Sequence, residues 1–274
     1  MNPLYIAILL ITGASVGLVS GLLGVGGCFI MIPVQYWILT SMGIDPTISI
    51  RVAFGTNLFV VLPTAFSGSL RHHKNRAVLW KSALILGLIS IIFTFLGTYV
   101  TTLLPGSVLK TIFGLAILLG ALRMITARPI RVEGEPCTNP WTYVLLGAVF
   151  GFVTGLIGIG GGVLMVPLMV ILLNYHMHEA VGTSTAIMMF TSFGGTLAYM
   201  LYGLGVPGLP PYAIGYVNLL QWISLACTSV PMAQVGASLA HRIRPKSLKW
   251  IFIIVMIYMG LKMIGVFSYL GLPI

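Results

Sequence analysis

An all-α polytopic membrane protein is the fold class this sequence predicts, and three observations predict it. Of its 274 residues 58% are hydrophobic and only 7% charged, with a mean hydropathy of +1.06, against about 25% charged in ordinary soluble domains. The apolar runs are long and continuous, so helices rather than a closed barrel satisfy the backbone in lipid. A glycine-rich string, GLLGVGGCFIMIP at residues 21–33, returns as GLIGIGGGVLMVP at residues 155–167.

Each element follows from run length, since a helix needs about 20 apolar residues to cross. Runs occupy residues 4–41, 47–70, 78–104, 108–126, 141–175, 180–203, 212–241 and 247–271. The first and fifth are too long for one crossing and must turn or break, giving about 8–10 membrane segments in all. Around GVGG the first run divides into helices of about 20 and 14 residues, about 30 and 21 Å long. The second arm is therefore short of a full crossing. Glycine lets the chain turn there and leaves backbone groups without helical partners, which is tolerated only where protein or a wet cavity covers them.

The chain contains two copies of one unit. A shift of 134 aligns Gly17, Gly21, Gly24, Gly26, Gly27, Met31 and Pro33 with Gly151, Gly155, Gly158, Gly160, Gly161, Met165 and Pro167. AFGTN (Ala53 to Asn57) matches AVGTS (Ala180 to Ser184), and LKTIF (Leu109 to Phe113) matches LKWIF (Leu248 to Phe252). The first repeat spans 1–126 and the second 141–274, joined by ARPIRVEGEPCTNP at 127–140, rich in proline and charge.

Orientation follows from the basic loops, which stay on the cytoplasmic side. RHHKNRAVLWK (Arg71 to Lys81), Arg123 to Arg131 and HRIRPKSLK (His241 to Lys249) belong inside, with the linker cytoplasmic and the C-terminus outside. The counterpart of the first basic loop, YGLGVPGLPPYAIGY, carries no charge. The copies thus point in opposite directions, as inverted-topology repeats whose glycine-broken hairpins meet near the bilayer midplane. Eight crossings in parallel copies would result if the short arms did not cross.

Composition narrows the chemistry. Cys28, Cys137 and Cys227 form no C-x-x-C pair, so neither a disulfide framework nor a metal site is indicated. The four acids, Asp45, Glu133, Glu135 and Glu179, lie at segment ends or in the linker, so no carboxylate sits deep in a span, where a cation or proton carrier usually keeps one. The net charge of +10 reads as topological signal and contact with anionic lipid, with no nucleic-acid partner. The N-terminal apolar stretch reads as mature structure because no Lys or Arg precedes it.

The candidate binding residues are the paired motifs. A helix beginning after Gly27 or Gly161 offers free N–H groups, which interrupted helices aim at anions. Gly26, Gly27, Cys28 and Gly160, Gly161, Gly162 form that part of the site. Gly55, Thr56, Asn57 and Gly182, Thr183, Ser184 add hydroxyl or amide donors, although Thr56 and Thr183 could instead bond back to their own helices. GxxxG spacing alone (Gly17 and Gly21; Gly151 and Gly155) reads as helix packing. Arg51 either snorkels or draws anions into an outer vestibule. Gln35, Asn218, Gln221 and Gln234 read as interhelical hydrogen bonding, one of them lining the path.

These residues resemble the TauE/SafE sulfite exporter family, a group of small permeases also named for toluenesulfonate uptake, over nearly the whole chain. The resemblance places the family's glycine motif on Gly24, Gly26, Gly27 and Gly158, Gly160, Gly161, Gly162, and its GTS motif on Gly55, Thr56, Asn57 and Gly182, Thr183, Ser184. Cys28 stands for a glycine and Asn57 for a serine, which makes the two halves unequal. The implied function is secondary transport of sulfite, sulfonates or sulfoacetate-like anions across the cytoplasmic membrane, with no cofactor and no enzymatic step. Anion export gains about 2.3 kcal/mol per charge per 100 mV, which favours export. The alternative is uptake of sulfonates or carboxylates coupled to a proton or sodium. An intramembrane enzyme and a structural subunit are the remaining rivals. No oligomeric state is implied.

Overall fold

The computed structural model describes residues 2–23, 28–126, 139–160, 162–239 and 245–269. Gly24, Gly26, Gly27 and Gly161, and linker residues 127–138, lie outside the described residues. The described chain is helical apart from one small hairpin. Helices α1 (Pro3–Leu23) and α2 (Cys28–Ser41) are the two arms expected of the first long run, with 21 and 14 residues. Tyr5 at the start of α1 meets Trp37 near the end of α2 edge to face, ring centroids 6.1 Å apart, so the arms fold back on each other.

Helix α3 (Pro46–Lys74) starts where Asp45 accepts the N–H groups of Thr47 and Ile48 at 2.8 and 3.1 Å, with proline in the first turn, where no N–H is missed. Helices α4 (Trp80–Leu103) and α5 (Gly106–Thr126) complete the first repeat. The second repeat opens with α6 (Pro140–Ile157) and α7 (Gly162–Leu172). Their outer ends are tied by Tyr143 and Tyr175, whose hydroxyls are 2.7 Å apart. Helix α8 (Met177–Tyr202) is capped by Glu179, which accepts from the N–H of His176 at 3.1 Å.

The run expected at 212–241 is different in its first turn. Residues Ala213–Ile214 (β1) and Val217–Asn218 (β2) form a short antiparallel hairpin, because Pro210 and Pro211 cannot extend a helix and Gly215 sits at φ +57°. Helix α9 (Leu219–Leu239) begins only at Leu219, followed by α10 (Pro245–Ile264) and α11 (Val266–Tyr269). Among the described residues, α3, α4, α5 and α6 are long and apolar enough to cross a membrane. Their outward faces carry bare aliphatic side chains, among them Ile92, Leu119 and Leu145.

Packing exchanges the two copies. Helix α1 lies on α9, and its counterpart α6 lies on α4, the counterpart of α9. In both places glycine lets backbones touch: a Cβ on Gly17 would strike the backbone of Ser229, and one on Gly151 the backbone of Ser90, positions related by the same repeat. Gly17, Gly151 and Gly155, read as packing positions, do pack. Equivalent helices α3 and α8 run antiparallel, since Gly68 meets Thr185 while Gly55 meets Tyr199. Helices α5 and α10 also oppose each other, Gly114 facing Gly260 and Ile264 and Gly260 facing Leu118.

Candidate functional site

A helix that stops inside a membrane protein leaves its last carbonyls without N–H partners, and three of those of α6 find donors elsewhere. Gly158, at φ +69°, turns the chain and returns its own N–H to the Thr154 carbonyl at 2.8 Å. The Gly155 carbonyl accepts the Tyr199 hydroxyl of α8 at 2.8 Å, and the Leu156 carbonyl accepts the Thr101 hydroxyl of α4 at 3.1 Å. The Gly158 carbonyl accepts Asn57 Nδ2 of α3 at 2.6 Å. The end of the broken helix is thereby fixed from three sides.

Asn57 also joins the two hairpins. Cys28, the first residue of α2, places its thiol beside the Asn57 side chain, and both residues are buried. The two positions where the first copy departs from the glycine and serine of the family pattern are therefore neighbours. Gly160, at φ +73°, lies against α3 and α8, where a Cβ would come within 3.2 Å of Val61 and 3.4 Å of Met188. Helix α7 starts two residues later at Gly162, which is buried.

The GT pairs hold the other copy. Thr56 accepts the N–H of Asn218 at 2.9 Å, just before α9, and Thr183 accepts the N–H of Leu79 at 3.0 Å, just before α4. A Cβ on Gly55 would strike the carbonyl of Tyr216, and one on Gly182 the carbonyl of Ala77. Each glycine admits a carbonyl and each threonine captures the N–H two residues on. Both threonine oxygens thus accept across the copies, which leaves each O–H to donate separately. Ser184 does bond back, to the Val181 carbonyl at 2.9 Å.

The two motif sets form separate places. Thr185 faces Gly68, so Thr183 lies level with residue 70, fourteen residues or about 21 Å along α3 from Thr56. Asn57 and Cys28 come together with Gly158, while Thr183 lies farther along α3. Arg51 is half-buried and closes the end of α4, donating to the carbonyls of Thr102 and Leu104 at 2.8 and 3.0 Å and to the Tyr216 hydroxyl at 3.2 Å.

Tyr199 and Thr101 were absent from the sequence reading. The spacing of Ser90, Thr94, Thr98 and Thr101 on one apolar helix is the signal that finds this face: it runs along the α6 glycines, with Ser90 donating to the Gly147 carbonyl at 2.9 Å. Among the described residues no cluster of His, Cys, Asp or Glu could hold a metal.

Comparison with known proteins gives the chain its relatives. The sequence profile described as Sulfite exporter TauE/SafE matches residues 9–263. A probable membrane transporter protein of Methanocaldococcus jannaschii is 30% identical over 95% of this chain and 96% of its own length. One of Bacillus subtilis is 30% identical, covering 95% and 98%, and one of Haemophilus influenzae is 24% identical, covering 94% and 98%. No solved structure gives a significant match.

Proposed function

The chain belongs to the TauE/SafE sulfite exporter family of membrane transporters, and we propose that it moves small sulfur-containing anions out of the cell down the membrane potential. The observation that supports this reading is the capture of carbonyls at the α6 break. Its carbonyls at Gly155, Leu156 and Gly158 are each occupied by a side-chain donor. Beside them the break offers the N–H end of α7, whose first groups have no helical acceptor and favour negative charge.

The titratable groups support the same sign. Asp45 and Glu179, the carboxylates among the described residues, both cap helix N-termini. Sodium held by broken-helix carbonyls would compete at Gly155, Leu156 and Gly158 with side-chain donors already in place. The copies are read as inverted in the membrane, with Asn57 and Cys28 shaping the anion path beside Gly158.

The test is flux of radiolabelled sulfite in proteoliposomes holding the purified protein, under potentials of either sign, with and without sodium and a proton gradient. Flux should follow the potential alone. Flux that requires sodium or protons would replace this reading with coupled uptake.

A further inference from the structure

Gln35 of α2 and Gln221 of α9 are both fully buried, and neither amide oxygen nor amide nitrogen of either residue has a protein hydrogen-bond partner. Buried amides left so are rare, because each forfeits its hydration with nothing in return. Gln221 lines a small cavity with Leu39, Met42, Tyr212, Pro211 and Asn218. Gln35 lies one turn before Leu39 on the same face of α2. Asn218 is the residue whose N–H Thr56 captures, so this corner adjoins the clamp next to Asn57.

The second copy shows the same corner built for packing. The repeat places Met169 opposite Gln35 and Ser82 opposite Gln221. Met169 is fully buried and apolar, and Ser82 accepts the Tyr175 hydroxyl at 2.7 Å, with Tyr143 bound to Tyr175 in turn. Packing therefore does not demand two amides at this place in the repeat.

We propose that Gln35 and Gln221 form a binding position for the sulfur oxyanion group on the side of the β1–β2 hairpin, outward of the α6 break. This rests on the anion-transport reading and adds an outer release position to it. Two carboxamides present N–H donors without charge, which suits the three oxygens shared by sulfite and organosulfonates. An uncharged donor set binds well enough to admit the anion and weakly enough to pass it on, as a transport path requires.

The experiment gives each glutamine its second-copy counterpart, as Gln35→Met and Gln221→Ser, with Gln221→Asn as the conservative variant should the serine not fold. Purified proteins are melted with sulfite, methanesulfonate or chloride, and sulfite flux kinetics are measured. Gln35→Met should melt at or above the wild type without ligand, because an unsatisfied amide is gone. Each variant should need about tenfold more sulfite or methanesulfonate for the same stabilisation, with KM raised alike and kcat retained.

Variants that keep wild-type stabilisation and KM would overturn the assignment and leave the transport reading standing. A wild type that neither sulfur oxyanion stabilises and that carries no sulfite flux would overturn the transport reading, and the assignment with it.

Discussion

Thr183 holds the N–H of Leu79, just before α4, from a position 104 residues away in sequence, and Thr56 does the same for Asn218, just before α9, across 162 residues. Replacing Thr183 with valine keeps the shape and removes the acceptor, which leaves the Leu79 N–H without its partner. The expected cost is about 1–3 kcal/mol, read as a lower melting temperature in detergent, whereas Thr183→Ser should stay near wild type. Equal melting of the valine and serine variants would refute the capping role. The sequence could single out this residue, because GT recurs in both copies. It could not supply the partner, because nothing local to Thr183 points to Leu79. The same holds for Asn57, legible as a departure from serine and illegible as the residue that fixes Gly158. Of the candidate residues at the glycine breaks, Cys28, Gly160 and Gly162 lie among the described residues and Gly26, Gly27 and Gly161 outside them.

Helix α3 carries Pro63 in its interior, which removes the N–H that the Phe59 carbonyl would otherwise accept. The Trp222 indole of α9 fills that role: its Nε1–H donates to the Phe59 carbonyl at 3.0 Å, and its ring stacks on Phe59 with centroids 4.3 Å apart. One helix thus lends a donor to another that lacks its own. Pro63→Ala restores the helical N–H, so the cost of Trp222→Phe should be smaller in that background than in the wild type. A double-mutant cycle of melting free energies should give a coupling of about 0.5–1.5 kcal/mol, and zero coupling would separate the two residues. Hairpin breaks and arm lengths were legible at this scale because glycine and run length act locally. The β1–β2 hairpin falls where the uncharged loop YGLGVPGLPPYAIGY overlaps the apolar run at 212–241, and run length alone does not separate the two.

At the scale of the whole molecule, the packing pairs α1 with α9 and α4 with α6, so each repeat places its first helix on the fourth helix of the other. Neither repeat can be complete by itself on this plan, because the glycine stripe of each first helix finds its surface only in the other copy. Antiparallel α3 and α8 put the loop after Lys74 and the loop after Tyr202 at opposite ends of the molecule. The first is basic and the second uncharged, and basic loops stay inside. Single cysteines at Arg76 and Tyr212, both exposed, in a background with Cys28, Cys137 and Cys227 replaced, measure that arrangement directly. A membrane-impermeant maleimide added to intact cells should label Tyr212→Cys, and Arg76→Cys only after the membrane is opened. Copies lying parallel in the bilayer would place both positions on one side and label them together, an outcome incompatible with helices that pass each other in opposite directions through the same membrane.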